Sequence, residues 1–368
     1  MIINLKSQTE MSAFYVVYNG STFLERDGWY GTSHLLEHLK FKVLDHLEDS
    51  FYRDGLNVNA YTSDSNIVFY MTGIDEKVNK WKYKFLELLS KFEVTEEEFN
   101  NEVSIVMEEY QDSFNDQHSS HYMNLFRKLF NHYSPIGLRE DLEKLEYSEI
   151  FKIHDHIYSA PSKIINVSKH NDFIGEIKPS IIGVDKVFEF GNYKTPLELS
   201  NTFNDKSSII MLSPMITEDL SYVNYINSML GMGLTSPLYQ EIREKNGLAY
   251  GVWCYKNDLN RSSMVNISTQ TSNRNVDKVL DLTKNIITNP DTFLTKDRFD
   301  IVNDYYRVNK VKSEINRYDN VNRWITDNIN DSIVDILDIV SMDKIREVYD
   351  KYYNFDNFYI SIDKKEFQ

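Results

Sequence analysis

The pattern His34-Leu35-Leu36-Glu37-His38 is the part of this 368-residue sequence best suited to chemistry. On a helix, residues four apart lie on one face, so the imidazoles of His34 and His38 can approach one metal ion, with Glu37 beside them. A hydrolytic zinc site needs neutral nitrogen ligands, one position for water and a carboxylate that accepts the proton of that water. The inverted motif H-x-x-E-H serves this arrangement. The pattern predicts a zinc site; the alternative is two surface histidines on an amphipathic helix.

A third protein ligand is expected from an acidic helix further along the chain. Thr95 to Glu98 has the form of a capping box, which predicts that a long helix begins there. Glu102 and Glu109 are seven residues apart, two helical turns, and therefore share a face of that helix, whereas Glu108 points elsewhere. A solvated acidic face explains the same spacing when the helix is taken alone, so both explanations stay open.

Hydrophobic periodicity predicts the elements that must position these residues. A strand at 13–18 is followed by a helix from about Thr32, and 56–62 and 67–72 form two adjacent antiparallel strands. After residues 169–203, which collect glycine and proline as a linker does, a similar order of strands and helices returns. We expect an α+β fold of two similar domains, each an antiparallel sheet with helices packed on one face. The predicted boundaries are 1–170 for the first domain, 171–200 for the linker and 201–368 for the second domain.

Several motifs in a fixed order resemble the pitrilysin/insulinase family of inverzincin metallopeptidases, which includes the mitochondrial processing peptidase. The resemblance covers about residues 14–255. The matching segments are Gly20-Ser21, Gly31, the H-L-L-E-H motif, Gly55 to Ser63, Glu102 to Glu109, Pro135-Ile136-Gly137 and Leu238 to Tyr250.

The resemblance implies a metal centre with one zinc ion (Zn2+) per chain. It assigns His34, His38 and Glu109 as the zinc ligands and Glu37 as the general base on the zinc-bound water. Glu102 carries over as a catalytic residue in the role of supporting acid.

The resemblance also implies where the substrate binds. The strand with Asn59, Ala60 and Tyr61 would border the zinc and hold an extended peptide as an added strand. Arg243 and Tyr250, from the second domain, would contact the zinc-bound substrate and help to stabilise the oxyanion.

The expected function is that of a zinc endopeptidase acting on short or unfolded peptides. Family members of double length fold as two such halves around a chamber, so two copies of this chain are expected to form it. A homodimer is the economical arrangement, and a heterodimer with a related subunit is the alternative. The rival function is a non-catalytic, zinc-stabilised peptide-binding or scaffold subunit. The intact Glu37 argues against that rival, because a purely structural site needs no base.

The composition of the sequence limits which binding partners and which cellular compartment are expected. The chain has 40 basic and 56 acidic side chains, a net charge of −16, which repels phosphate backbones and argues against nucleic acid as a partner. No apolar run approaches the ~20 residues that span a bilayer, so no membrane partner is expected. The first residues lack a signal peptide, and the single cysteine, Cys254, cannot form an internal disulfide. The expected location is the cytoplasm.

Two further histidines, His118 and His121, have i,i+3 spacing and therefore lie near one another on a helix. Their motif contains no carboxylate that would serve as a base. We predict a solvated helix end at this position, not a second site.

Overall fold

The structure is a computed structural model that describes residues 1–45, 47–158, 161–176, 195–201, 206–259, 262–315, 321 and 336–365. The chain divides into two compact units. Unit 1 comprises Met1–Asp112, Tyr133–Lys186 and Asn309–Ser332, and unit 2 comprises Ser113–His132, Val187–Val308 and Ile333–Gln368. Unit 2 therefore includes a segment from within 1–170. Of the predicted linker, residues 177–194 lie outside the described residues, and the domain boundaries stay a prediction.

The described strands are β1 (Ile2–Lys6), β2 (Met11–Asn19), β3 (Asn57–Thr62), β4 (Asn66–Ile74), β5 (Lys163–Ser168), β6 (Leu197–Asn201), β7 (Lys206–Leu212), β8 (Ala249–Leu259), β9 (Ser262–Ser272) and β10 (Tyr359–Lys365). The described helices are α1 (Thr32–Asp45), α2 (Glu48–Arg53), α3 (Asp75–Leu89), α4 (Glu96–Asn115), α5 (Gln117–Phe130), α6 (Arg139–Lys144), α7 (Tyr147–Ile157), α8 (Leu220–Gly231), α9 (Pro237–Tyr239, continued by a π-helical turn at Gln240–Lys245), α10 (Val276–Thr288), α11 (Lys296–Ile315), α12 (Ile336–Ile339) and α13 (Met342–Tyr352). Short 3₁₀ turns lie at Ser21–Leu24, Asn273–Asn275, Pro290–Thr292 and Phe355–Asn357. Within the described ranges, no helix has both the length and the apolar character needed to cross a membrane.

Sheet 1, in unit 1, has five strands in the order β1-β5-β2-β4-β3. β1 runs parallel to β5, and the other neighbours are antiparallel. The adjacent antiparallel strands predicted at 56–62 and 67–72 are β3 and β4, with Asn59 opposite Tyr70. β3 is an edge strand, since its partner within the described residues is β4 alone.

Sheet 2, in unit 2, repeats this topology in the order β6-β10-β7-β9-β8. Its first pair, β6 and β10, is parallel, and the remaining neighbours are antiparallel. Strand for strand, the order and directions match those of sheet 1. The expected α+β fold of two similar domains is confirmed, with sheets that are mostly, not wholly, antiparallel.

Helices of unit 1 pack against one face of sheet 1 and form its main core. Phe14 and Phe69 from the sheet, Leu35 and Leu39 from α1, and Phe85 from α3 are all fully buried there. Each such side chain contributes roughly 1.5–3 kcal/mol by leaving water. This burial fixes α1, which carries the H-x-x-E-H motif, against the sheet.

The histidines of α5 make a buried polar contact with sheet 2. The His121 ring lies 2.9 Å from the Ser208 Oγ through Nδ1 and 2.8 Å from the Ser361 Oγ through Nε2, and His118 also contacts Ser208 at 3.2 Å. Burial, reinforced by the neighbouring His118, lowers the pKa of His121 to about 3, so the ring is neutral at pH 7. The predicted solvated helix end is therefore wrong: His121 is only 1% exposed.

Candidate active site

Gly31 and the carboxylate of Glu25 hold the start of α1 in place. Gly31, just before Thr32, has φ of +99°, a conformation that L side chains rarely adopt. Glu25 accepts hydrogen bonds from the backbone N–H groups of Gly31 at 3.1 Å and Ser33 at 2.7 Å, which satisfies donors left free at a helix start. A Cβ on Gly137 would lie 2.2 Å from the Gly31 Cα. The segment 135–137 thus packs directly under the start of the motif helix.

The side chains of His34 and His38 lie outside the buried face of α1 and contact each other. Leu35, Leu36 and Leu39 are fully buried, whereas His34 and His38 are half-buried and one turn apart. Their Nε2 atoms are 3.2 Å apart. Two nitrogens bound to one tetrahedral zinc at 2.0–2.1 Å would be about 3.3 Å apart. The pair therefore has the separation that a shared zinc requires.

Surrounding groups keep both rings able to bind a metal. The His38 Nδ1 lies 3.1 Å from the Glu102 Oε2. Since a carboxylate accepts, Nδ1–H donates, and in the neutral ring this leaves the Nε2 lone pair for a metal. Burial, reinforced by the neighbouring His38 ring, lowers the pKa of His34 to about 4, so His34 is neutral at pH 7. The His34 Nδ1 is buried and has no hydrogen-bond partner among the described residues. His38 is therefore the better supported of the two rings.

Helix α4 brings two acids to the histidines. The predicted capping box at its start is present: Thr95 N–H donates to Glu98 Oε2 at 2.8 Å, and Glu98 N–H donates to Thr95 Oγ1 at 3.2 Å. Glu102 is 3% exposed and shares the buried face of α4 with Phe99 and Val106. The spacing of these residues explains why Glu102 faces α1 instead of water.

Glu109, two turns beyond Glu102, faces both imidazoles. Its Oε2 lies 3.4 Å from the His34 Nε2, and its Oε1 lies 3.8 Å from the His38 Nε2. The side chain is 46% exposed, so this carboxylate stands at the open side of the pair. Two imidazoles and a carboxylate match the donor set of catalytic zinc sites, so these residues fit the metal.

Glu37 lies beside the histidines but is held differently. It is 8% exposed, and its Oε2 accepts a hydrogen bond from the Thr62 Oγ1 at 3.2 Å. Donor atoms of His34, Glu37 and His38 all lie within 4.8 Å of one another. Burial raises the pKa of Glu37, an effect that His38 and the Thr62 hydroxyl partly oppose. A carboxylate with one oxygen engaged and a raised pKa suits a proton acceptor better than a metal ligand.

A cavity of about 590 Å³ opens between α1, α4 and the edge strand β3. It is lined by His34, Glu37, His38, Phe41, Lys42, Asn59, Ala60, Tyr61, Thr62, Glu102 and Ile105. On β3, the N–H of Ala60 donates to the Asn59 Oδ1 at 2.8 Å. The three predicted strand residues, Asn59, Ala60 and Tyr61, thus line the same cavity as the histidines.

Two polar residues of this cavity were not predicted as site residues from the sequence. Thr62 donates a hydrogen bond to the Glu37 Oε2, and Lys42 lies 3.1 Å from the Glu102 Oε1 through its Nζ. The sequence did contain a signal for Lys42, because it follows His38 by four residues and so lies on the same face of α1. Thr62 had no such signal, since its contact with Glu37 joins separate elements.

Arg243 and Tyr250 lie in unit 2, whereas the histidines lie in unit 1. Arg243, on the π-helical turn, donates from Nη1 to the Tyr250 carbonyl oxygen at 2.7 Å, and its guanidinium carbon is 4.6 Å from the centre of the Tyr250 ring. Tyr250 is 83% exposed. The structure pairs these two side chains with each other, and their role toward a substrate stays a prediction.

Curated relatives of the chain carry names that agree with this chemistry. The chain is 23% identical over 268 residues to an uncharacterized zinc protease of Rickettsia bellii, a match that covers 67% of this chain and 65% of the relative. It is 27% identical over 266 residues to the uncharacterized zinc protease YmxG of Bacillus subtilis, covering 64% of this chain and 63% of the relative. The chain thus spans somewhat less than two thirds of the length of these relatives. A probable mitochondrial-processing peptidase subunit beta of Arabidopsis thaliana is 27% identical over 180 residues, covering 43% of this chain and 32% of the relative.

Solved structures share the whole fold. A protease from Helicobacter pylori has a TM-score of 0.84 at 17% identity, covering 99% of this chain and 96% of that one. A peptidase M16 inactive domain from Pseudomonas fluorescens has a TM-score of 0.80 at 14% identity, covering 100% and 95%. At these identities the likeness concerns the fold alone.

Two family models match consecutive parts of the chain. Residues 1–135 match the model described as insulinase (peptidase family M16), and residues 196–302 match the peptidase M16 inactive domain. The first contains the H-x-x-E-H motif and Glu109, and the second contains Arg243 and Tyr250. The chain belongs to the insulinase family, peptidase family M16.

Proposed function

We propose that this chain is a zinc-dependent endopeptidase that hydrolyses short or unfolded peptides. The observation that carries the proposal is the position of Glu37. Its buried carboxylate adjoins two imidazole nitrogens that are 3.2 Å apart. It is not needed as the third metal ligand, because the Glu109 carboxylate already lies next to His34. His34, His38 and Glu109 would hold one zinc ion.

Glu37 would act as the general base. When bound, zinc supplies Lewis acidity that acidifies water and polarises a carbonyl. The Thr62 hydroxyl occupies Glu37 Oε2 and leaves Oε1 to accept a proton from the attacking water. Glu37 then carries that proton to the leaving amine, so that base and acid are the same side chain at successive steps. Glu102 supports His38 and takes no proton in this scheme.

The edge strand β3 would bind the substrate main chain. An extended peptide can add to an unpaired strand edge through backbone hydrogen bonds, which recognise conformation more than sequence. The Asn59 amide oxygen accepts a hydrogen bond from the Ala60 N–H. When a peptide binds, a carbonyl of the peptide would replace this amide oxygen as the acceptor. Folded proteins do not offer such a strand, and this favours short or unfolded substrates.

We also propose that two copies of the chain form the working enzyme. Arg243 and Tyr250 would then assist a substrate held at the zinc site of the partner copy, with the Tyr250 hydroxyl as a hydrogen-bond donor to the oxyanion. Its high exposure leaves that hydroxyl free to reach a substrate. A heterodimer with a related subunit is the other arrangement compatible with the resemblance.

A mixed peptide library tests the proposed function directly. The purified chain is incubated with the library, and mass spectrometry identifies the products. We expect cleavage that a chelator abolishes and added zinc restores, and no cleavage of a stable folded protein. A chain that binds zinc and cleaves no peptide would favour the scaffold function instead.

Mixing two inactive variants is expected to restore activity. Glu37→Gln and Tyr250→Phe should each be nearly inactive alone, because every site lacks its base or its oxyanion donor. After dissociation and reassociation at equal amounts, about half of the dimers are mixed, and each has one complete site. Activity should then recover to roughly a quarter of wild type if the sites are independent.

Subunit exchange must be verified in the same sample, for example with two differently tagged chains. Exchange without recovered activity would mean that Glu37 and Tyr250 act within one chain, and the proposed dimeric site would be wrong.

A further inference from the structure

The buried carboxylate of Glu102 lies between two residues of α1 that are one helical turn apart. Its Oε2 faces the His38 Nδ1 at 3.1 Å, and its Oε1 faces the Lys42 Nζ at 3.1 Å. The Glu102 side chain is 4% exposed, that of His38 is 19% exposed, and that of Lys42 is 39% exposed. Each carboxylate oxygen therefore has its own donor, both from the same helix face.

We propose that Lys42 is a positioning residue of the metal centre, which holds Glu102 so that Glu102 can hold the His38 ring. The inference rests on the proposed function only in taking His38 as a zinc ligand. Lys42 itself is not one of the proposed zinc ligands.

The physical reason lies in the cost of a half-satisfied buried carboxylate. An oxygen that loses its donor in a buried position costs roughly 1–3 kcal/mol, so the carboxylate would turn toward another donor or toward water. Such a turn moves Oε2 away from the His38 Nδ1. The ring would then lose the hydrogen bond that fixes its orientation and leaves Nε2 free.

The same contact sets how α1 and α4 are aligned. His38 pairs with Glu102, and His34, one turn earlier on α1, approaches Glu109, two turns later on α4. The helices therefore run in opposite directions past each other at this site. Because Glu102 contacts His38 and Lys42 on successive turns of α1, it also fixes the distance between Glu109 and the imidazoles.

A purely electrostatic role for Lys42 would have the opposite sign. A nearby ammonium repels a divalent cation, so its removal alone should make zinc bind more tightly. The positioning role predicts weaker binding. The direction of the change in zinc affinity thus separates the two explanations.

The test is zinc affinity of the full chain, measured by competition between the zinc-free protein and a chromophoric chelator. Partners one shell outside the ligands typically contribute 10–100-fold to metal affinity, and Lys42 is one contact further out. We expect Lys42→Met to raise the zinc Kd about 3- to 10-fold. Lys42→Arg, which keeps a cationic donor, should stay within about twofold of wild type.

Lys84→Met is the matched control. Lys84 lies on α3 and pairs with Glu87 at 2.9 Å, so its loss removes the same charge away from the site and should leave the zinc Kd unchanged. Thermal unfolding of each zinc-free variant checks that the fold is kept. If Lys42→Met unfolds, the Lys42→Arg value and a Lys42→Gln variant decide the matter.

Unchanged or tighter zinc binding by Lys42→Met would overturn the inference, and so would an arginine variant as weak as the methionine one. A wild-type chain that binds no zinc would overturn both this inference and the proposed function. Normal zinc binding without peptide hydrolysis would overturn the proposed function alone.

Discussion

Glu37→Gln is expected to abolish peptide hydrolysis while the protein keeps its zinc and its fold. The amide is nearly isosteric but cannot accept a proton from water, and a positioned general base typically contributes about 10²- to 10⁴-fold to the rate. Thr62 can still donate its hydrogen bond to the amide oxygen, so the local packing should survive. Turnover of a cleaved library peptide, with zinc content measured on the same sample, checks the prediction.

Thr62→Val provides a graded comparison for that experiment. It keeps the base but removes the hydrogen bond that holds Oε2 at 3.2 Å, and the loss of about 1.4 kcal/mol corresponds to roughly tenfold in kcat. Thr62→Ser should retain most of the activity. Turnover by Glu37→Gln comparable with wild type would refute the mechanism and favour a scaffold function.

His38→Ala and Glu109→Gln are each expected to lose the zinc. Three protein ligands are the usual number in a catalytic site, and the binding energy of a zinc site is shared among few ligands. Removing one should weaken binding by about 100-fold or more and leave little metal after chromatography. Elemental analysis of the purified variants gives the zinc content per chain.

Glu108→Gln is the matched control for Glu109→Gln, since it makes the same change at the adjacent residue of α4. It should keep about one zinc per chain. Full zinc in Glu109→Gln together with loss of zinc in Glu37→Gln would reverse the assignment, making Glu37 the ligand; both carboxylates lie close enough to the histidines for this to be a real test.

The local parts of the site were predictable from the sequence because they depend on nearby residues. The start of α1 at Thr32, the capping box of Thr95 and Glu98, and the antiparallel pair β3 and β4 all follow from patterns within about ten residues. The i,i+4 spacing of His34 and His38 likewise sufficed to predict that their rings meet.

The remaining contacts depend on pairings across the chain that no local pattern encodes. His121 was predicted at a solvated helix end, yet it is buried against Ser208 and Ser361, which are 87 and 240 residues away. A polar residue is predicted to be exposed unless its hydrogen-bond partners are known. The partners of His121 lie on strands β7 and β10 of sheet 2. Thr62 escaped prediction for the same reason, because its partner Glu37 comes from another element. The spacing from His38 places Lys42 on the right face of α1, but its contact with Glu102 joins two helices and has no local pattern.

The place of β10 in sheet 2 has a consequence for synthesis of the protein. β10 lies between β6 and β7 and pairs with both, although it is the last strand that the structure describes in the chain. On the ribosome, β6 and β7 are synthesised roughly 150 residues before β10. Until β10 emerges, the edges of β6 and β7 that pair with it stay without that partner. Sheet 1 closes much sooner, because β5 fills the corresponding place by residue 168. During translation, the sheet bearing the metal site can therefore assemble while the second sheet still exposes edges on which chaperones can act.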